Sequence, residues 1–196
     1  MAIEAVVLAA GYSSRAEAFK MELTVGGRTV IQRCIAGMYD LCARIIVVGG
    51  YRIERLEAVL QDYAKVELVC NPRYAEGMFT SVKEGARHVR GERFFFTPGD
   101  YPLISPAVCR SLLAAEGEIV IPVHGGRKGH PVLLAGELAA ELVREDDSSN
   151  LRDFIQRKGY QTLEVAEPGI LLDLDTQADY RRILERFGEG GEANEP

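Results

Sequence analysis

The chain has 196 residues, 23 of them Lys or Arg and 29 Asp or Glu, for a formal net charge of −6. That length suits one compact domain, which buries roughly 70% of its unfolded surface and needs no disulfide or metal staple. With 47% hydrophobic and 27% charged residues, a disordered or fibrous chain is excluded, and the acidic balance argues against bulk nucleic-acid binding. No apolar run reaches the ~20 residues of a membrane span. The opening Met1-Ala2-Ile3-Glu4 lacks the basic n-region of a signal peptide. Cys34, Cys42, Cys70 and Cys109 form no CxxC pair. The expectation is a cytoplasmic protein with reduced thiols.

In chain order, apolar β-rich runs alternate with helical patterns, the signature of an α/β layer with a mostly parallel sheet. Strands are predicted at Ala5–Ala9, Arg44–Val48, Val66–Cys70, Arg93–Thr97 and Glu118–Pro122, several of them near-continuous apolar runs as doubly covered strands should be. Helices are predicted at Val30–Leu41, Ile53–Tyr63, Phe79–Val89 and Pro106–Ala115, the last opened by Ser105 as N-cap with proline at the first helical position. Val123–Pro131, rich in Gly and basic residues, reads as a loop or hairpin excursion. Helices at Gly136–Arg144 and Asn150–Lys158 follow, with Ser148 or Ser149 capping the second. Ile170–Asp175 reads as a last strand, and Thr176-Gln177-Ala178-Asp179 as a capping box opening a helix to Phe187. The domain is thus expected to span residues 1–187, with the Gly/Glu-rich stretch 188–196 as a disordered tail.

Three constellations carry chemistry. The first strand runs into Leu8-Ala9-Ala10-Gly11-Tyr12-Ser13-Ser14-Arg15, with Lys20 five residues on. Small residues let backbone approach a ligand, Gly11 can adopt positive φ, and the carboxyl end of a strand is where open α/β sheets bind ligands. Arg15 and Lys20 add positive charge, which fits a polyphosphate cradle. Neither the dinucleotide Gly-x-Gly-x-x-Gly nor the Gly-x-x-x-x-Gly-Lys-Ser/Thr motif is present; a tight turn with two solvated cations would read the same. Second, Asp100 in Pro98-Gly99-Asp100-Tyr101-Pro102 follows an apolar strand and is placed to hold a divalent cation or to shape a turn. Third, alternation in Asp173-Leu174-Asp175 puts both carboxylates on one face of an extended strand, where Asp175 could be a second metal ligand or a favourable charge before a helix. Weaker signals are Asn71 at a strand end, Gly77 and Ser81 at a helix start, where N–H groups and the hydroxyl could read a base edge, and Gly125-Gly126-Arg127-Lys128-Gly129-His130, whose cations suit an anionic acceptor. His88, inside a predicted helix, reads as structural.

Together these motifs resemble the MobA-like nucleotidyltransferase family, which includes the molybdenum cofactor cytidylyltransferases, across nearly all of residues 3–187. The resemblance implies a single-domain, three-layer, Rossmann-like α/β fold with a mostly parallel central sheet. It implies that Leu8, Ala9, Ala10, Gly11, Arg15 and Lys20 hold the triphosphate. Asn71, Gly77 and Ser81, with Gly85, resemble the base-recognition segment. Asp100 is similar to the metal-binding Asp-x-Pro and Asp175 completes that Mg2+ site, while Arg127, Gly129 and His130 resemble the acceptor side. Arg15, Lys20 and Asp100 are the catalytic candidates. Ser81-Val82-x-x-Gly85 is more similar to the cytidylyl branch than to the guanylyl branch.

The function so implied is in-line transfer of a nucleoside monophosphate, CMP from CTP, to a phosphorylated acceptor of the molybdopterin type, with pyrophosphate leaving. A molybdenum hydroxylase or its maturation factor would receive the product; nucleic acid and membranes are not expected partners. Another acceptor, such as a sugar phosphate, or a binding module that has lost catalysis are the competing readings. One departure matters: the family usually carries Met-Gly where this chain has Ala16-Glu17. A like charge about 6 Å from the polyanion at an effective ε near 20 costs about 2.8 kcal/mol, roughly a hundredfold in affinity, and less if Glu17 turns to solvent.

Overall fold

The computed structural model describes residues 2–11 and 19–190. Eight strands form one sheet: β1 (Ile3–Leu8), β4 (Arg44–Gly49), β5 (Val66–Cys70), β6 (Arg93–Pro98), β7 (Ile119–His124), β8 (Arg127–Lys128), β9 (Val132–Ala135) and β10 (Gln161–Glu164). The short strands β2 (Thr24–Val25) and β3 (Arg28–Thr29) pair separately as a hairpin. The order is β10-β7-β9-β6-β1-β4-β5, with β8 beside β7. β1 pairs in parallel with β4 and β6, β4 with β5, and β10 with β7; β9 runs antiparallel between β6 and β7, and the short β8 antiparallel to β7.

Period-two alternation sorts the strand residues onto two faces. Ala5, Val7, Ile45, Val47 and Phe95 pack with α1 (Val30–Tyr39), α2 (Ile53–Leu60) and α4 (Pro106–Ala114). Val6, Leu8, Ile46, Val48, Phe94 and Phe96 pack with α3 (Met78–His88), α5 (Leu138–Arg144) and α6 (Leu151–Lys158). The fold is therefore the expected three-layer α/β sandwich with a mostly parallel central sheet. A small third cluster joins Val25 and Val30 to Leu174 and to Ile183 of α7 (Gln177–Gly190).

Local signals explain several boundaries. Ser105 Oγ accepts from the Val108 N–H at 3.2 Å, with Pro106 in the first turn of α4. Thr176 and Asp179 exchange the two bonds of a capping box at α7. His88 is structural: its ring nitrogens face Glu67 and Glu84 at 3.1 and 3.5 Å. All four cysteines are free thiols, Cys34, Cys42 and Cys109 buried, and among the described residues no helix is long and apolar enough to cross a membrane.

The structure corrects four expectations. Ile170–Asp175 is not a strand: a 3-10 turn covers Pro168–Leu171, and the segment is held by single bonds to different loops, His130 N–H to the Ile170 carbonyl and Leu174 N–H to the Asp100 carbonyl, each 3.0 Å, rather than by a ladder. The α6 cap is Asn150, whose Oδ1 accepts from Asp153 N–H, while Ser148 is bonded back to Asp146. Val123–Pro131 holds the hairpin of the two forms expected, β8 turning back on β7, but Val132–Ala135 and Gln161–Glu164 are strands where none was expected. The last helix passes Phe187 to reach Gly190; residues 191–196, expected as a tail, lie outside the described residues.

Candidate active site

The parallel strands β1, β4, β5 and β6 end at one edge of the sheet, and the antiparallel β9 begins there. This topology delivers the loops after Leu8, Cys70 and Pro98 and the loop before Val132 to one place. Leu8, Ala9 and Ala10 are buried. Their backbone is locked by Gly99 N–H to the Leu8 carbonyl and Ala9 N–H to the Val48 carbonyl, both 2.8 Å. Among the described residues nothing lies within 4 Å of where a Gly11 Cβ would be, and Gly11 does not use the positive φ that its residue type allows. Arg15 and the Ala16-Glu17 departure lie outside the described residues.

Lys20 stands in a 3-10 turn, Lys20–Glu22. Its Nζ donates to Asp100 Oδ2 at 2.5 Å and to Asp175 Oδ1 at 3.2 Å. Burial works to lower its pKa, yet the two carboxylates outweigh burial and hold it above the usual 10.5, so the side chain is an ammonium across physiological pH. Asp100 is 8% exposed, and its other oxygen, Oδ1, is buried without a hydrogen-bond partner among the described residues. Asp173 lies close enough that burial, followed by the charges of Asp100, Asp175 and Asp179, raises its pKa. Burial, then Asp173, Asp100 and Asp175, raises that of Tyr101 as well.

Among the described residues carboxylates therefore outnumber cations here, and one buried carboxylate oxygen is unspent. That donor set fits a hard divalent cation, which takes one or two carboxylates and completes its shell from water and substrate phosphate. Among the described residues no group of three or more His, Cys, Asp or Glu side chains forms a metal cage.

Asn71, one residue past β5, is buried and fully engaged. Its Nδ2 donates to Thr80 Oγ1 and Ser81 Oγ, both 2.9 Å, and its Oδ1 accepts from Arg73 N–H at 2.9 Å. Asn71 and Ser81 are thus brought together as a knot beneath the segment, with Ser81 only 3% exposed. The open surface of the segment belongs to Gly77, at φ 120° with no described residue near its absent Cβ, and to Met78, 69% exposed. Gly85 is a packing glycine: a Cβ there would lie 2.4 Å from Val6 Cγ1. Sequence reasoning missed Thr80, which ties Asn71 to the carbonyls of Arg73 and Gly77; a hydroxyl in the first turn of α3 was the available signal.

Arg127 and Lys128 are exposed on β8. Gly129 presses on Ile170, its would-be Cβ 2.4 Å from the Ile170 carbonyl oxygen. His130 meets the Tyr101 ring at 4.7 Å between centroids, tilted by 56°, and burial lowers its pKa against the Phe96 carbonyl and Asp100, favouring the neutral imidazole.

A sheet that gathers small-residue backbone, a lysine and paired carboxylates at one edge defines a nucleotide-handling transferase site. The chain belongs to the MobA-like NTP transferase domain family, whose profile matches residues 5–163, and it is a nucleotidyltransferase. It is 31% identical, over 96% of its length and 98% of the relative's, to the molybdenum cofactor cytidylyltransferase of Escherichia coli K12. A nucleotidyl transferase from Methanothermobacter superposes with a TM-score of 0.85 at 25% identity, covering 96% of this chain and 99% of that one. Rv0371C of Mycobacterium tuberculosis H37Rv, solved in complex with manganese, superposes with a TM-score of 0.75 at 26% identity, covering 94% and 99%.

Proposed function

We propose that the protein transfers CMP from CTP to a phosphate oxygen of molybdopterin, releasing pyrophosphate, in the cytoplasm. The observation that carries this reading is the Lys20 ammonium held between Asp100 and Asp175, a meeting of positions 80 and 155 residues from it in sequence; the E. coli cytidylyltransferase supports the choice of nucleotide and acceptor. An acceptor phosphate oxygen attacks the α-phosphorus in line, the bond to the bridging oxygen breaks, and pyrophosphate leaves with the electron pair. Such transfers run on positioning and charge neutralisation and need no covalent enzyme intermediate.

The backbone of Leu8, Ala9, Ala10 and Gly11, with Arg15 and Lys20, holds the triphosphate. Gly77 and the first turn of α3 face the base, with Asn71 and Ser81 fixing that turn from beneath. Arg127, Gly129 and His130 form the acceptor side, where the neutral imidazole and the guanidinium suit an anionic phosphate. Asp100 and Asp175 would hold Mg2+, which when bound neutralises charge on the triphosphate. The product would pass to a molybdenum hydroxylase or its maturation factor.

The test is pyrophosphate release by the purified protein with magnesium and each of CTP, GTP, UTP and ATP, with and without molybdopterin. Release that requires CTP and molybdopterin together is expected. Release with CTP and a different phosphorylated acceptor would overturn the acceptor, and preference for GTP would overturn the base.

A further inference from the structure

We propose that Asp147, in the connection between α5 and α6, is a positioning residue that sets the base-recognition segment and so contributes to selection among nucleotides. This rests on the reading of residues 71–81 as the segment that meets the base. One carboxylate serves two elements of it. Asp147 Oδ2 accepts from Arg73 Nη2 at 2.8 Å, and Oδ1 accepts from Lys83 Nζ at 2.5 Å. Arg73 belongs to the turn that precedes Gly77, and its guanidinium also grips Glu76 at 2.6 Å. Lys83 lies on α3, is 8% exposed, and spends a second proton on the Glu145 carbonyl at 2.7 Å. The turn and the helix on either side of Gly77 and Met78 are therefore pinned to one external anion, complementing the Asn71–Thr80–Ser81 knot beneath them.

Discrimination between bases depends on donors and acceptors held at fixed places, because a group free to move accommodates the wrong edge as readily as the right one. An isolated exposed ion pair contributes little. Here one of the two cations is buried, and the shared carboxylate fixes the distance between turn and helix. Glu145, in the same connection, directs its side chain elsewhere, to Arg157 at 2.6 Å and Ser149 at 3.2 Å, and so provides an internal control.

The experiment measures dissociation constants of CTP, GTP, UTP and ATP with magnesium, by calorimetry on the full chain, for the wild type and for Asp147→Asn, Asp147→Glu and Glu145→Gln. All four nucleotides carry the same triphosphate, so removing a negative charge shifts their affinities together, whereas a displaced segment changes their ratio. The expected result is a loss of about fivefold in the ratio of favoured to least favoured nucleotide in Asp147→Asn, the scale of roughly 1 kcal/mol in network geometry. Partial recovery is expected in Asp147→Glu and no change of ratio in Glu145→Gln. A uniform shift across the four nucleotides, or an equal change in Glu145→Gln, overturns the role of Asp147 while leaving the nucleotidyltransferase reading standing. Wild-type binding without base preference also overturns it, and no nucleotide binding by the wild type removes both.

Discussion

Among the described residues Lys20 and Asp100 are each other's nearest charged partner at 2.5 Å, so a change in either alters the surroundings of the other. Lys20→Ala removes the ammonium that bridges Asp100 and Asp175, the cation proposed to hold the triphosphate. Losing one well-placed electrostatic group lowers turnover about 10²–10³-fold, and a drop of that size is expected for Lys20→Ala and for Asp100→Asn in steady-state pyrophosphate release. Near-normal turnover in either would remove that residue from the reaction. Glu17→Gly is expected to tighten nucleotide binding, by up to roughly a hundredfold if the carboxylate faces the polyanion; titration calorimetry with CTP measures it. Asp100 and Lys20 were legible as candidates because their neighbours, prolines and small residues at strand ends, mark ligand-binding turns. The internal role of Asn71 was not, because an amide at a strand end reads the same whether it faces a base or two buried hydroxyls.

Among the elements, helix starts were the most legible feature and the connections after β7 the least. Ser105 and the Thr176–Asp179 pair act through atoms within three residues, so local chemistry suffices to place them. Ser105→Ala is expected to cost about 1 kcal/mol of stability, a typical N-cap loss, read as a lower denaturation midpoint in urea with unchanged slope. Gly85 makes the converse case: α3 crosses β1 so closely that Gly85→Ala forces a Cβ against Val6. Such overpacking costs about 1–3 kcal/mol, and the same unfolding measurement reads it. Strand β9 escaped the sequence because only four residues form it, and its neighbours β6 and β7 lie upstream of it in chain order; nothing local says that a short apolar run will enter a parallel sheet upside down. The inversion carries Gly129 and His130 to the edge where Asp100 stands.

For the molecule as a whole, His130, whose pKa is lowered by burial, ties stability to pH. Burial depresses its folded pKa below the usual 6.5, with the Phe96 carbonyl and Asp100 only partly opposing. The unfolded imidazole therefore binds a proton that the folded one refuses, so this contribution is complete above pH ~6.5 and is lost as pH falls from there toward the folded pKa. Midpoints of urea unfolding at about pH 7.5 and 5.5 should fall on acidification in the wild type, and fall less in His130→Gln.

The order of layers was carried by the sequence alone. Period-two alternation within near-continuous apolar runs dictates strands covered on both faces, and the helical runs between them supply the covers. Small residues, prolines and caps act within a few positions, so they also marked where β1 and β6 end and where a ligand could be held. Only the tertiary structure decided that Lys20 meets both Asp100 and Asp175 and that the extended segment around Asp173 pairs with no strand. It also decided that Asn71 turns inward and that Asp147 reaches across to Arg73 and Lys83. Each of these is a choice of partner between residues 9 to 155 positions apart. Such choices depend on how the sheet and its two helix layers bring distant loops together, which no local propensity encodes.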